Sequence, residues 1–234
     1  RGDSSGAMKT YRTRAIVLRR TNYGEADRVV QLLTVEGRRS VMARGVRKEK
    51  SKLAGGIELF AVSDVVIGEG KGDLGVLTSA KLVHFYRHIL EEYDRLQFGY
   101  QAVQLVARAS ETVDEPEWFD LLQETLAGLD VLSLPLPLVR TWFYIRYAGL
   151  LGHEMNLEID TDGAPLSAET EYRYDSAERG LRRVEVNGTI TGEHIKVLRL
   201  IARRPLQVLA QVGGMGAYLG ECLRVAEEHA SLDM

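Results

Sequence analysis

Tyr11-Arg12-Thr13-Arg14-Ala15-Ile16-Val17-Leu18-Arg19, the turn residues Asn22-Tyr23-Gly24, and Asp27-Arg28-Val29-Val30-Gln31-Leu32-Leu33-Thr34 decide the class of fold. Both runs concentrate β-branched and aliphatic residues over a length too short for a helix, and residues that favour turns end them, as expected of buried strands. Three further runs, at 39–46, 57–67 and 75–83, have the same character, with breaks at Glu36-Gly37 and Gly68-Glu69-Gly70-Lys71-Gly72. Five strands within about 75 residues, with no helix-length pattern between most of them, predict a small closed barrel rather than a parallel sheet. An OB-fold, whose strand face binds oligonucleotides, is the first candidate. An SH3-like barrel gives nearly the same signal, and strand count does not separate the two.

From about Leu82 the period becomes helical. Phe85, Ile89, Tyr93, Leu96 and Tyr100 recur at spacings of three and four, and Val103, Leu105 and Val106 continue the stripe. Trp118, Leu121, Leu122, Thr125, Leu126 and Leu129 mark a second helix, and Pro135 and Pro137 introduce a third at about 138–151, with Trp142, Phe143, Ile145, Tyr147 and Leu150. These aromatics read as core, since their spacing gives each helix one apolar face. A polar excursion after Gly152 holds a β-hairpin, 171–175 and 181–186, and helices at about 192–202, 206–212 and 215–229 close the chain. The expected class is α+β: a five-stranded OB-fold barrel at 8–82, then an all-helical domain at 83–234 with a hairpin insertion at about 153–190. Residues 1–7, before Met8, read as an expression remnant.

With 234 residues, 45% hydrophobic and 27% charged, the chain has the composition of an ordinary folded protein of two small domains. The single cysteine, Cys222, excludes an intramolecular disulfide and argues against structural zinc, so a reducing, cytoplasmic compartment is expected. No stretch approaches the roughly 20 apolar residues that span a bilayer, so no membrane association is expected. The net charge of −3 conceals an asymmetry: Lys9 to Lys52 carries 13 basic residues against four acidic, net +9, and Leu53 to Met234 carries 16 against 28, net −12. Its densest piece is Arg44-Gly45-Val46-Arg47-Lys48-Glu49-Lys50-Ser51-Lys52. On a small β domain that points to phosphate contacts and counterion release.

Catalytic chemistry is thinly represented. Gly68-Glu69-Gly70-Lys71-Gly72 lacks the Gly-Lys-Ser/Thr and the following helix of a phosphate loop. Asp160 and Asp162 lack the other ligands of a calcium loop and read as loop solvation. His84 and His88, expected one helical turn apart on a partly exposed face, have no third ligand at metal spacing. Cys222, in an amphipathic pattern, reads as a buried packing residue. No catalytic residue, metal or cofactor is expected.

Tyr23-Gly24-Glu25-Ala26-Asp27-Arg28-Val29-Val30, then Leu32-Leu33-Thr34, Glu36-Gly37, and Ala43-Arg44-Gly45-Val46-Arg47-Lys48 with Lys50-Ser51-Lys52-Leu53 and Gly55, are similar to the N-terminal signature of the RecO family, as are Gly72-Asp73-Leu74, Leu77-Thr78 and Ala80. Downstream, Gly149-Leu150-Leu151-Gly152 and the Tyr172-Arg173-Tyr174 hairpin resemble some members. Many members carry two Cys-x-x-Cys zinc pairs around such a hairpin; this chain has neither, so its hairpin must hold by packing and hydrogen bonds. The resemblance implies a non-enzymatic recombination mediator, cytoplasmic and nucleoid-associated, whose OB-fold binds single- and double-stranded DNA and anneals complementary strands. Its implied partners are the acidic C-terminal tail of the single-stranded-DNA-binding protein and a RecR-like protein, with which it loads a RecA-like recombinase.

On that reading Arg12, Arg14, Arg28, Arg39, Arg44, Arg47, Lys48, Lys50 and Lys52 contact phosphates without reading sequence, and Tyr11 or Tyr23 either stacks a base or belongs to the barrel core. Arg140 is the first candidate for clamping the tail carboxylate, beside Trp142 or Phe143, with Arg146 as the second. Two other readings stand: an RNA-binding OB-type module, and a metal-independent hydrolase with its site between the domains.

Overall fold

A computed structural model describes residues 8–234, and the expression remnant expected at 1–7 lies outside the described residues. Five strands form a closed barrel: β1 Thr10–Tyr23, β2 Asp27–Thr34, β3 Gly37–Ala43, β4 Ala61–Gly68 and β5 Leu74–Phe85, in the order β1-β2-β3-β5-β4. β1 runs antiparallel to β2 and β4, and the parallel pairing of β3 with β5 closes the ring. This connectivity is that of an OB-fold, which strand count alone had left open. Alternate side chains point inward, so Ala15, Val17, Val30, Leu32, Val41, Ala43, Val65, Ile67 and Leu77 fill the barrel.

Ile16, Leu18 and Leu33 face outward and are buried nonetheless. Helix α1, Tyr93–Thr112, covers this flank with its later turns: Phe60 and Tyr100 meet at 5.0 Å between ring centroids, and Arg38 of β3 donates to Ala107 O. Gly99 permits the approach, because a Cβ there would stand 3.1 Å from the Phe60 ring. By contact the chain forms two compact units, the described residues up to Glu91 with Gly99–Leu126, and Glu92–Phe98 with Ala127–Met234.

Three boundaries differ from the sequence reading. The helical period starting near Leu82 is overridden by the sheet: β5 continues to Phe85 because Leu82, His84 and Phe85 pair with Ser63, Val62 and Ala61 of β4. A short 3-10 helix, Arg87–Glu91, follows, so His84 lies on a strand and His88 on a 3-10 turn, not one α-helical turn apart. β3 stops at Ala43, where the chain turns through Gly45 at φ +65. β4 starts only at Ala61, after Phe60 at φ +58; such a residue costs on the order of 1 kcal/mol, which burial of its ring opposes.

In the second unit, α3 Leu136–Leu150 is buried over most of its circumference and packs against α4 Gly192–Arg203 and α6 Gly216–Ser231; α5, Leu206–Leu209, is a single turn, and α2, Glu117–Asp130, ends in this unit. Pro135 and Pro137 open α3 where no intrahelical donor is lost. Trp118, Trp142, Phe143 and Tyr147 are buried as expected, and so is Tyr144, but on α3 they fall around the helix and not on the one apolar face expected of it. Cys222 is buried on α6, and burial pushes its thiol up to about 12. Asp160, expected to be solvated, is instead buried, its Oδ1 accepting the N–H groups of Asp162 and Ala164 to close a turn.

The hairpin, β6 Glu171–Asp175 and β7 Gly180–Val184, is held without cysteines. Buried Tyr172 exchanges backbone bonds with Ile190, and its hydroxyl accepts from Ser167 N at 2.8 Å. Tyr174 reaches His229 of α6: since His153 O, 2.6 Å from His229 Nε2, can only accept, Nε2 carries the proton and Nδ1 accepts from the Tyr174 hydroxyl at 2.7 Å. Asp233 then bridges His153 and Arg179.

Burial holds His229 below its ordinary 6.5 and pushes Tyr174 up to about 12 from 10.0. As pH falls below 6.5 the unfolded chain takes up a proton that folded His229 refuses, and as pH rises above 10 the unfolded chain releases one that folded Tyr174 keeps, so stability is lost on both sides. Arg179 and Asp233 face both groups, whereas Glu228 and Asp175 face Tyr174 alone and His153 faces His229 alone. Thermal melts from pH 5 to 11 should show a plateau, with the alkaline limb flattened by Tyr174→Phe and the acid limb by His229→Gln. Unchanged limbs in both variants would exclude the pair as their source.

Candidate nucleic-acid interface

One end of the barrel is formed by the β1–β2 turn, the end of β3 and the segment leading to β4. Gly24, at φ +59, makes the β1–β2 turn, and Gly45 reverses the chain after β3. The two loops are tied together: Asp27 Oδ1 accepts Gly45 N–H at 2.7 Å, Ala26 O accepts Arg47 N–H at 3.0 Å, and the Arg47 guanidinium donates to Gly24 O. Val46 is buried in the barrel core, and Leu53 and Ala54 pack against it. The basic loop is therefore pinned at both ends by apolar anchors and turned by the bonds Lys48 N to Gly45 O and Ser51 N to Lys48 O. Arg44, Lys48, Lys50 and Lys52 are left exposed, with Arg47 half-buried.

Arg28 joins them from β2, its Nε donating to Asn22 Oδ1 at 3.1 Å. Arg20, absent from the sequence-derived set, sits at the same end: it pairs with Val30 across the ladder and donates to Ile57 O at 3.4 Å. The signal for it was the run Arg19-Arg20, but only the continuation of β1 to Tyr23 carries it to this end. Tyr23, 59% exposed, stands on the turn and is no core residue. Among the described residues, no carboxylate lies within ion-pair distance of Arg28, Arg44, Arg47, Lys48, Lys50 or Lys52.

The remaining three cations lie elsewhere. Arg12 and Arg14 face outward from the first half of β1, opposite Val66 and Asp64, and Arg14 pairs with Asp64 at 3.2 Å. Both groups are exposed, so this pair contributes only about 0–1 kcal/mol. Arg39 lies toward the far end, lining a cavity of about 330 Å³ with Tyr11, Ile67 and Glu69, and donates to Arg38 O at 2.8 Å. With roughly 3.3 Å per residue along a strand, Arg14 stands on the order of 25 Å from Asn22.

The residues considered for a peptide site sit on α3 with different neighbours. The Arg140 guanidinium lies 5.6 Å over Phe98 and 6.0 Å over Tyr144, and Nη2 pairs with Glu227 at 3.2 Å. Its Nε is buried with no hydrogen-bond partner. Trp142 is buried, donates to Arg204 O at 3.0 Å and is covered by the Arg146 guanidinium at 4.2 Å. Arg146 also donates to Ile201 O and Arg204 O, which caps the end of α4. No thiolate stands at the hairpin, and among the described residues no group of three His, Cys, Asp or Glu is placed to hold a metal ion. No described helix is long and apolar enough to cross a membrane.

The family described as "Recombination protein O N terminal" matches residues 8–86. The chain is also similar to proteins named "DNA repair protein RecO". That of Roseiflexus sp. (strain RS-1) is 30% identical over 212 residues, 87% of this chain and 74% of the relative. That of Heliobacterium modesticaldum is 37% identical over 157 residues, 65% and 56% of the two chains. That of Dehalococcoides mccartyi (strain CBDB1) is 30% identical over 199 residues, 82% and 78%.

Proposed function

The chain belongs to the RecO family of DNA-repair proteins, and from that premise we propose a recombination mediator that holds DNA strands by their phosphates and anneals complementary ones without breaking a bond. The observation that carries this reading is the pinned loop at one end of the barrel, where Arg28, Arg44, Arg47, Lys48, Lys50 and Lys52 have no carboxylate partner among the described residues. Cations held in place and free of counter-charge release condensed counterions when phosphates replace them. Two strands that repel each other are screened on such a surface, and base pairing then supplies the driving force. Tyr23 stacks a base beside the phosphate track, worth on the order of 1–3 kcal/mol. Arg12, Arg14 and Arg39 extend the track along the barrel only for longer strands or a duplex.

Within this reading, Arg140 receives the acidic tail of the single-stranded-DNA-binding protein, a RecR-like protein is the second partner, and the complex loads a RecA-like recombinase. The unpartnered Nε of Arg140 and the apolar ring faces of Phe98 and Tyr144 beside it support a carboxylate site there. The test is an annealing assay with complementary oligonucleotides, bare or coated by the single-stranded-DNA-binding protein. The wild type is expected to accelerate both reactions, and Arg140→Ala to slow only the coated one. No acceleration of bare strands, or preference for structured RNA over single-stranded DNA at matched salt, would replace this reading with that of an RNA-binding module.

A further inference from the structure

The flank of the barrel carries a second concavity, made of residues that the nucleic-acid reading does not use. Tyr100, Val103, Gln104, Ala107, Arg108 and Glu111 recur at helical spacing on one face of α1, and across from them stand Leu18 and Arg19 of β1, Arg38 of β3 and the Leu59-Phe60 segment. Together they enclose about 470 Å³, within the range of cavities that hold a small ligand or a peptide side chain. Leu18, Phe60 and Val103 form a buried apolar floor, and Tyr100, stacked at a tilt on Phe60, is 42% exposed at its edge.

Three guanidinium groups stand around that floor, and they are not equivalent. Arg38 is fully engaged: it donates to Ala107 O, Ser110 Oγ, Gln31 Oε1 and Glu111 Oε1, which braces strand against helix and neutralises the only carboxylate of the lining. Arg19 on β1 and Arg108 on α1 are exposed and have no hydrogen-bond or ion-pair partner among the described residues. Two free cations on opposite walls of an apolar slot are complementary to an apolar side chain flanked by carboxylates. They do not make a phosphate track: the two stand on opposite walls instead of in line along one strand, and the third guanidinium, Arg38, is already committed to Glu111.

We propose that this groove binds an acidic peptide segment of a partner protein, whose aromatic or long aliphatic side chain enters the slot while its carboxylates meet Arg19 and Arg108. The site is distinct in residues from both the cationic barrel end and Arg140. Charge-assisted bidentate bonds at a partly desolvated rim fix the register of the segment, and the apolar anchor gives most of the affinity.

The experiment uses the full chain and fluorescence anisotropy with three probes: a labelled decapeptide of aspartates around one central phenylalanine, the same peptide with alanine at the centre, and a single-stranded oligonucleotide. The phenylalanine peptide is expected to bind about tenfold tighter than its alanine control, and Arg19→Ala with Arg108→Ala to remove about tenfold of that affinity. The oligonucleotide should lose less than about twofold, since the double variant leaves the cationic end intact. Both substituted side chains are exposed, so folding is not at stake, and Tyr100→Ala provides an independent variant of the same wall that should weaken the peptide alone. Equal binding of the two peptides would overturn the proposal. So would peptide affinity that follows Arg140 instead of Arg19 and Arg108, or parallel losses of peptide and oligonucleotide, the last of which would mark a nucleic-acid path.

Discussion

Single-stranded DNA should bind on the order of a hundredfold more weakly at low salt when Arg47, Lys48 and Lys50 are all reversed to glutamate. Each phosphate neutralised on a single strand contributes about 0.7 to the slope of log K against log salt, so three lost contacts should flatten that slope by about 2. The loss should be equal for strands of different sequence, because phosphates carry no sequence information. Annealing of bare complementary strands should slow in proportion. Lys48 and Lys50 are exposed, and Val46 holds the loop from the barrel core, so the fold should survive. Arg47 also donates to Gly24 O, a bond worth about 1 kcal/mol net, and Lys48, Lys50 and Lys52 reversed together form the variant that avoids this loss. Oligonucleotide titrations at several salt concentrations decide the matter. If both variants matched the wild type across the series, the barrel end would not be the DNA site.

Arg95→Met should cost about 3–5 kcal/mol of folding stability, the largest effect we expect of any single substitution outside the aromatic core. Arg95 is 3% exposed, on the first turn of α1. Its guanidinium donates to Leu129 O at 3.1 Å, Val131 O at 3.3 Å, Leu132 O at 3.2 Å and Leu134 O, while Nε pairs with Glu92 at 2.9 Å. The carbonyls left without helical partners at the end of α2 are thus satisfied, together with those of the turn into α3, by one planar group. Methionine fills the volume but takes the guanidinium from the carbonyls of Leu129, Leu132 and Leu134, while Val131 O keeps only the Leu134 N–H. Arg95→Lys should recover only part of the loss, since an ammonium has three donors and no fork geometry. Urea unfolding should show a lowered midpoint with an unchanged slope. A midpoint within experimental error of the wild type would mean that water replaces the guanidinium without cost.

The short β-branched and aliphatic runs Ala15–Leu18 and Val29–Leu33, and the turn chemistry around Gly24 and Gly68, made a small barrel legible before any coordinates, though not which residues of each run fill it. The same is true of the buried aromatics of α3 and of a basic loop at 44–52. These features depend on near neighbours in the chain: strand and helix periods are local, and a run of lysines and arginines repels itself into solvent wherever it lies. The helical period drawn through Phe85 and Ile89 failed for a non-local reason. Leu82 to Phe85 had β4 as a ladder partner, and a sheet supplies hydrogen bonds that a three-to-four spacing of apolar residues cannot announce.

The sequence by itself determined what each segment is: five strands, a helical remainder, a surplus of positive charge in the first fifty residues and a hairpin without zinc ligands. Only the tertiary structure decided which of those charges act together. Arg28, Arg44, Arg47, Lys48, Lys50 and Lys52 converge because β2 begins and β3 ends at the same rim, whereas Arg12, Arg14 and Arg39 lie on the opening halves of β1 and β3, which start at the opposite one. It also decided that β3 pairs with β5, that Arg95 meets carbonyls more than thirty residues distant, and that α1 walls a groove against β1. Such partners are fixed by closure of a ring and by packing at a distance, and neither leaves a periodic trace in the order of the residues.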